Sequence, residues 1–324
     1  MKKNLGPINH NEDMKIKIGR QMINSWIINF QGNSEDGNRF GFVFRVNVYS
    51  ISMGIRQICM LNTTVCVIDE TGDHYWYEDK FVDINSRKKI NYGALSVKGD
   101  FCSIEGDYDC LKIWALIPWA TIDFTLRSNH SILYDNHDGE TRLNGETFYG
   151  FSAPEWDTEG TIDLDGKMFN VRGKSWLERR YTNIPKRGSQ KEDNLIRLNL
   201  SFSNRPEKIS IWSVIHRPTG EEESWADVLL PDGRTEKYLM SPLSEKVAEY
   251  WVSGETGQKY PKIIRILIPE MDIDLATHTA VDMQEATSRK QVDCRYFGTG
   301  YFNGRVKGEE ESGNCSYEIT GLWK

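Results

Sequence analysis

Long apolar runs are missing from this chain of 324 residues. No stretch approaches the ~20 residues that a membrane-spanning helix needs, and the mean hydropathy is -0.56. The opening residues, "MKKNLGPINHNEDMKIKIG", hold lysines but no apolar stretch, which argues against a secretory signal. We therefore expect a cytoplasmic protein with no membrane span. Excess positive charge is lacking as well: the net charge is -7, which argues against nucleic acid as the main partner. The six cysteines, at 59, 66, 102, 110, 294 and 315, include no CxxC pair, and the six histidines form no HxH or HExxH pattern. Separate reduced thiols and no metal site are the expectation. Helical periodicity is nearly absent, and only "PLSEKVAEYWVS" reads as a helix.

Alternation fills the space that helices leave. In "RFGFVFRVNVYS" one face carries Phe40, Phe42, Phe44, Val46 and Val48, and the other carries Arg39, Arg45 and Asn47. "NLIRLNLSF" aligns Ile196, Leu198, Leu200 and Phe202, and "KIIRILIP" aligns Ile264, Ile266 and Ile268. These are strands with one buried face. "KIWALIPWATIDFTL" reads as one longer strand in which Pro118 implies an edge or a bulge. Asp36-Gly37, Asp138-Gly139, Asp165-Gly166 and Asp232-Gly233 supply hairpin turns. The pattern predicts an all-β protein with two antiparallel β-domains. The expected division lies near "YGFSAPEWDTEG", giving residues 1–150 and 151–324. The polar stretch "NIPKRGSQKEDN" (183–194) is read as a solvated loop, or a lid over a site.

One strand mixes residue types that a core strand would not. In "VRGKSWLERRYTN", residues 171–183, Trp176, Glu178 and Arg180 share a face at i, i+2 and i+4. Neighbouring members sit roughly 6.5 Å apart along the strand. Facing inward, they line a cavity with an aromatic, an acid and a guanidinium. Facing outward, they are surface residues or a structural Glu178–Arg180 pair.

The order of motifs resembles the lipocalin-like carotenoid 1,2-hydratase (hydroxyneurosporene synthase) family, which also includes isoflavonoid hydratases of fungi and decalin-forming cyclases. "NSWIINFQGNSEDGNRFGFVFRV" is similar to that family's tryptophan strand and aromatic hairpin. "LKIWALIPWATIDFTL" through "DGETRLNGETFYGFSAPE" looks like its approach to a second domain. "GTIDLDGKMFNVRGKSWLERRY" is similar to its Gly-x-Trp-x-acid signature, and "YFGTGYFNGRVKGEEESGNCSYEITGLW" looks like its C-terminal barrel. Glu178 keeps the signature acid, whereas Arg180 and Tyr181 stand where the family carries a second acid and a Trp. The resemblance implies two lipocalin-like barrels packed side by side around a hydrophobic ligand.

Hydration or cyclisation of a polyene needs no redox cofactor. One route protonates an alkene and lets water or an internal alkene capture the cation, with Glu178 as acid beside Trp176. An apolar setting raises the pKa of Glu178, and Arg180 opposes that rise. A second route folds the polyene into a reactive conformer while hydrogen bonds polarise a carbonyl. Candidates for binding are Asn24, Tyr149 and Tyr181, with Trp26 and Trp114 as walls. The expected activity is cofactor-independent cyclisation or hydration of a hydrophobic polyene, isoprenoid or polyketide-type substrate. The alternative is a non-catalytic carrier of the same kind of molecule.

Overall fold

The computed structural model describes residues 9–17, 21–53, 56–83, 90–91, 95–99, 101–143, 145–184, 193–287 and 294–320. After a single helical turn, α1 (His10–Asp13), the chain is strand almost throughout. Four long strands come first: β1 (Gln21–Ser34), β2 (Arg39–Met53), β3 (Arg56–Asp69) and β4 (His74–Asp83). Seven shorter ones follow: β5 (Ile90–Asn91), β6 (Leu95–Lys98), β7 (Cys102–Gly106), β8 (Cys110–Ile117), β9 (Ala120–Arg127), β10 (Leu133–Tyr134) and β11 (Glu140–Leu143). Then come β12 (Glu146–Leu164) and β13 (Lys167–Asn183). These thirteen strands form one sheet, in the order β4-β3-β2-β1-β13-β12-β9-β8-β7-β6-β5, with β10 and β11 also paired to β12.

The second sheet begins with β14 (Asp193–Phe202), β15 (Lys208–His216), β16 (Glu221–Leu229), β17 (Thr235–Met240) and β18 (Val247–Val252). It continues through β19 (Lys259–Ile268), β20 (Ile273–Thr279), β21 (Glu285–Thr287), β22 (Cys294–Val306) and β23 (Glu309–Thr320). Its order is β17-β16-β15-β14-β23-β22-β20-β19-β18, with β21 on β22. The two curled antiparallel sheets are the two lipocalin-like barrels expected. No helix among the described residues is long and apolar enough to cross a membrane.

The alternating faces fold as the pattern dictates. Phe40, Phe42, Phe44, Val46 and Val48 lie in the first core, and Ile196, Leu198, Leu200, Ile264 and Ile266 in the second. Each such side chain contributes about 1.5–3 kcal/mol on burial. Asp165 and Gly166 both have positive φ, 51° and 85°, the backbone that a tight hairpin between β12 and β13 needs. A third apolar group, including Ile27, Val43 and Ile68 of the first sheet with Val281, Ala286 and Phe297 of the second, packs where the sheets meet.

Several expectations change. The division at residue 150 falls inside β12, whereas the change of sheet lies between Asn183 and Asp193. The reason is length: β12 runs on past a bulge between Ala153 and Trp156 and pairs with both β9 and β13. Of the loop at 183–194, residues 185–192 lie outside the described residues. Pro118 sits in the two-residue turn between β8 and β9, where its missing N–H leaves no ladder bond unmade. The expected helix "PLSEKVAEYWVS" is a 3-10 turn, Leu243–Lys246, followed by β18. Trp251 stacks on Tyr260 at 6.1 Å, and aromatic packing of this kind favours a strand. Arg45 and Asn47, on the polar face of β2, are buried because the second sheet covers that face; Arg45 lies 5.6 Å from the ring of Phe297.

Candidate active site

In the second half of β13 odd residues such as Leu177 and Arg179 turn toward the first barrel, and Trp176, Glu178 and Arg180 point at the second sheet, whereas Met168, Asn170, Arg172 and Lys174, earlier on the even face, are exposed. Leu177 and Val171 belong to the first core. Trp176, Glu178 and Arg180 are 5%, 1% and 8% exposed, so they are neither on the surface nor inside their own barrel. They meet the outer face of β14, whose even residues fill the second core while Arg197 and Asn199 point outward. The three facing strands are in register. Across β15, β14 and β23, one row is Trp212, Arg197 and Glu318, and the next is Ser210, Asn199 and Ser316. The third row is Lys208, Ser201 and Asn314.

The first row meets Glu178 and Arg180. Glu178 Oε2 accepts from Arg197 Nη1 and, at 2.5 Å, from Arg180 Nη2. Asn199 Nδ2 donates to Glu178 Oε1 at 2.6 Å. Arg180 Nη2 also reaches Glu318 at 3.0 Å, tying the sheets together. Arg197 Nη2 donates to Ser152 Oγ at 2.8 Å and to Asp135 Oδ1 at 3.2 Å. Both guanidiniums stand over Trp212, at 4.7 Å and 4.3 Å, and Trp212 stacks on Trp225. Gly150 permits the crowding, because a Cβ there would lie 2.5 Å from Asp135 Oδ2.

Burial dominates the acidities. It pushes Glu178 up to about 8 although Arg180 and Asn199 pull the other way. Asp135 is likewise raised to about 7, by burial and then by Glu318, against Arg180. Asp227 rises to about 7, by burial and then by Asp135. Burial acts on Glu318 too, but Arg180, Arg45 and Arg295 outweigh it and hold that carboxyl below its usual value.

The third row opens onto a cleft of about 920 Å³ between the sheets. Asn29, Gln31 and Trp176 border it from the first sheet, and Asn199, Ser316 and Lys208 from the second. Trp176 is thus at the wall. Glu178 and Arg180 are not among the bordering residues and stand one row behind, with Asn199 between Glu178 and the opening. The indole N–H of Trp176 is buried with no partner among the described residues.

The other candidates gather elsewhere. Asn24, Trp26, Tyr149 and Tyr181 cluster at one end of the first barrel. Asn24 Oδ1 accepts from Lys17 N and Arg179 Nη2. Trp26 donates to Met14 O, and Tyr181 stacks on Tyr149 and donates to Asp13. Trp114 is half-buried on the outer side of β8. None of these five borders the cleft. Sequence reasoning missed Arg197, Asn199, Asp135 and Glu318. A signal for the first two was present: Arg197 and Asn199 interrupt "NLIRLNLSF" on its non-core face.

A model of the AttH-like family matches residues 21–322. The chain belongs to the AttH-like family. A putative AttH from Nitrosomonas europaea superposes with a TM-score of 0.82 at 16% identity, over 99% of this chain and 98% of that one. Kievitone hydratase from Nectria haematococca does so at 0.76 and 14%, over 98% and 94%. CghA, in its structure with Sch210972, matches at 0.60 and 12%, over 94% and 90%. These likenesses establish the fold of this AttH-like protein. No curated protein matches its sequence.

Proposed function

We propose that this AttH-like protein is an enzyme that cyclises or hydrates carbon–carbon double bonds of a hydrophobic polyene, isoprenoid or polyketide-type substrate in the inter-sheet cleft. The fold it shares with a hydratase supports this reading, and so does one observation. Trp176 and Asn199 stand at the cleft wall, and the amide of Asn199 is fixed by Glu178 at 2.6 Å. Neither reaction needs electrons from a cofactor: hydration adds water across the bond, and cyclisation redistributes π electrons within the substrate.

The geometry favours the positional route. Glu178 lies behind the wall, and its two oxygens already accept from Arg180, Arg197 and Asn199. Asn199 Nδ2 donates onward to Ser316 Oγ at 3.1 Å. That leaves the Ser316 hydroxyl hydrogen for an acceptor in the cleft, such as a substrate carbonyl. Glu178 and Arg180 are thus positioning residues, and Trp176 is the wall against which a flexible chain is folded.

Comparing Trp176→Ala with Glu178→Gln on a panel of linear polyenes tests this. The expected outcome is a larger rate loss for Trp176→Ala. A loss of at least about 100-fold for Glu178→Gln alone, the scale of general acid catalysis, would instead make Glu178 the proton donor. Unchanged rates in both variants would remove this strand from the site. Tight binding by the wild type with no turnover would make the protein a carrier.

A further inference from the structure

Among the described residues, Lys208 is the one cation of the cleft that is itself buried. Lys174, Arg205 and Lys208 border the opening, and Glu155 is the only acid there among the described residues, in a chain of net charge -7. Lys174 pairs with Asp157 in an exposed bridge, and Arg205 pairs with Glu207 and Glu311. Lys208 is 6% exposed. It lies in the same row as Ser201 and Asn314. Its ammonium meets Glu155 Oε1 at 2.9 Å and donates to Arg205 O at 3.3 Å. An ammonium carries three N–H donors, so these two partners among the described residues leave one more direction.

The partner acid is held in an unusual way. Glu155 has φ 59°, in the left-handed region, which costs a non-glycine residue roughly 1–2 kcal/mol. It sits in the bulge of β12, between Ala153 and Trp156. Bulges of this kind re-aim a side chain, and here the re-aimed carboxylate crosses from the first sheet to Lys208 on the second. Beside the pair the lining turns apolar, with Trp176, Phe202 and Leu229. The cleft therefore offers a cation at one place and an apolar wall next to it.

We propose that Lys208 is the anchor for an anionic head group, a carboxylate, on an otherwise apolar ligand, and that Glu155 occupies this anchor until the ligand displaces it. The proposal rests on the cleft being the substrate site and narrows the substrate class to acid-bearing polyenes. Glu155 is then a specificity residue as well: it excludes neutral ligands that cannot replace its charge on Lys208.

The experiment uses a fluorescent polyene acid, cis-parinaric acid, and its methyl ester as paired probes for the full chain. The wild type is expected to bind the acid at least about tenfold more tightly than the ester, the scale of one charge-assisted hydrogen bond. Lys208→Met should abolish the preference for the acid over the ester. Lys208→Arg should keep the preference, and Glu155→Gln should strengthen acid binding by removing the competitor. Near-ultraviolet circular dichroism monitors the fold, and the Glu155→Gln result stands by itself if Lys208→Met does not fold. Equal binding of the two probes by the wild type would overturn the anchor while leaving the cleft as the site. Survival of the preference in folded Lys208→Met, or weaker acid binding by Glu155→Gln, would also overturn it. Binding of neither probe would overturn the cleft reading and the anchor together.

Discussion

Arg179 and Arg180 are neighbours on one strand, both buried, and they face opposite ways. Arg179 turns into the first barrel. Its guanidinium donates to the carbonyls of Asp13, Lys15, Ser25 and Arg180 and to the side chain of Asn24, and lies 4.2 Å from the ring of Trp26. Arg180 turns outward and meets carboxylates of both sheets, Glu178 and Glu318. The first arginine thus staples the segment 9–17 over the end of a barrel, using neutral oxygens. The second is part of an ionic layer between barrels. Identical side chains one residue apart do different work because the strand's period of two sends them to different surroundings.

The largest effect should come from breaking the ionic layer. Arg197→Met removes one of the two arginines that Glu178 and Asp135 share, the other being Arg180. Removing one side of a buried pair typically costs about 3–5 kcal/mol. Urea unfolding should show this loss, and adding Glu178→Leu to the same chain should recover part of it. A cost below about 1 kcal/mol would mean that the layer contributes little.

Breaking the other arginine should cost less and act locally. Arg179→Met strands several carbonyls, at about 1–3 kcal/mol for an unsatisfied buried group. Hydrogen exchange should quicken in residues 9–17 while the amides of β14 and β23 keep their protection. Equal loosening of both regions would show that the two faces of β13 are not independent.

The last effect is a slope with pH. Glu178, Asp135 and Asp227 have folded values of about 8, 7 and 7, above the ordinary carboxyl range near 4. The folded state therefore binds more protons than the unfolded one. The stability these groups contribute is complete below about pH 4 and is lost as the pH rises through 7 to 8, by at most about 1.4 kcal/mol per unit for each proton released. Glu318, held low, acts in the opposite sense only in acid. Unfolding free energy should fall from pH 5 to pH 8, and Asp135→Asn should flatten part of that slope. A free energy that rises over this range would contradict the raised values.

Local signals carried much of the fold. The phenylalanines of β2 and the Asp165-Gly166 turn are decided by neighbours in the chain, so alternation and turn chemistry find them. The grouping of Trp176, Glu178 and Arg180 was legible for the same reason. Their partners were not. Arg197 bonds Asp135 across 62 positions, and Arg180 bonds Glu318 across 138. The polar segment "VDMQEA" shows no such local signal, yet Gln284 and Glu285 are buried: Gln284 is held by Val281 and Thr299, and Glu285 by Tyr260. Asn24, Trp26, Tyr149 and Tyr181, expected as ligand contacts, lie together at the barrel end, where the chain before β1 folds back onto Arg179.

By itself the sequence determined which residues share a face, since a strand's alternation follows from backbone geometry and needs no partner. It determined the strand content and the hairpin turns by the same local physics. Only the tertiary structure decided what each face meets. The outer face of β13 could have met water, and the second sheet turned it into a buried ionic layer beside a cleft. That outcome depends on the register of β14, β15 and β23, set by the local β14–β15 hairpin and by the β14–β23 ladder, which joins residues more than a hundred positions apart. Burial then raises Glu178 because an ionised carboxyl loses its hydration there, an energy that does not exist until the two sheets close on each other.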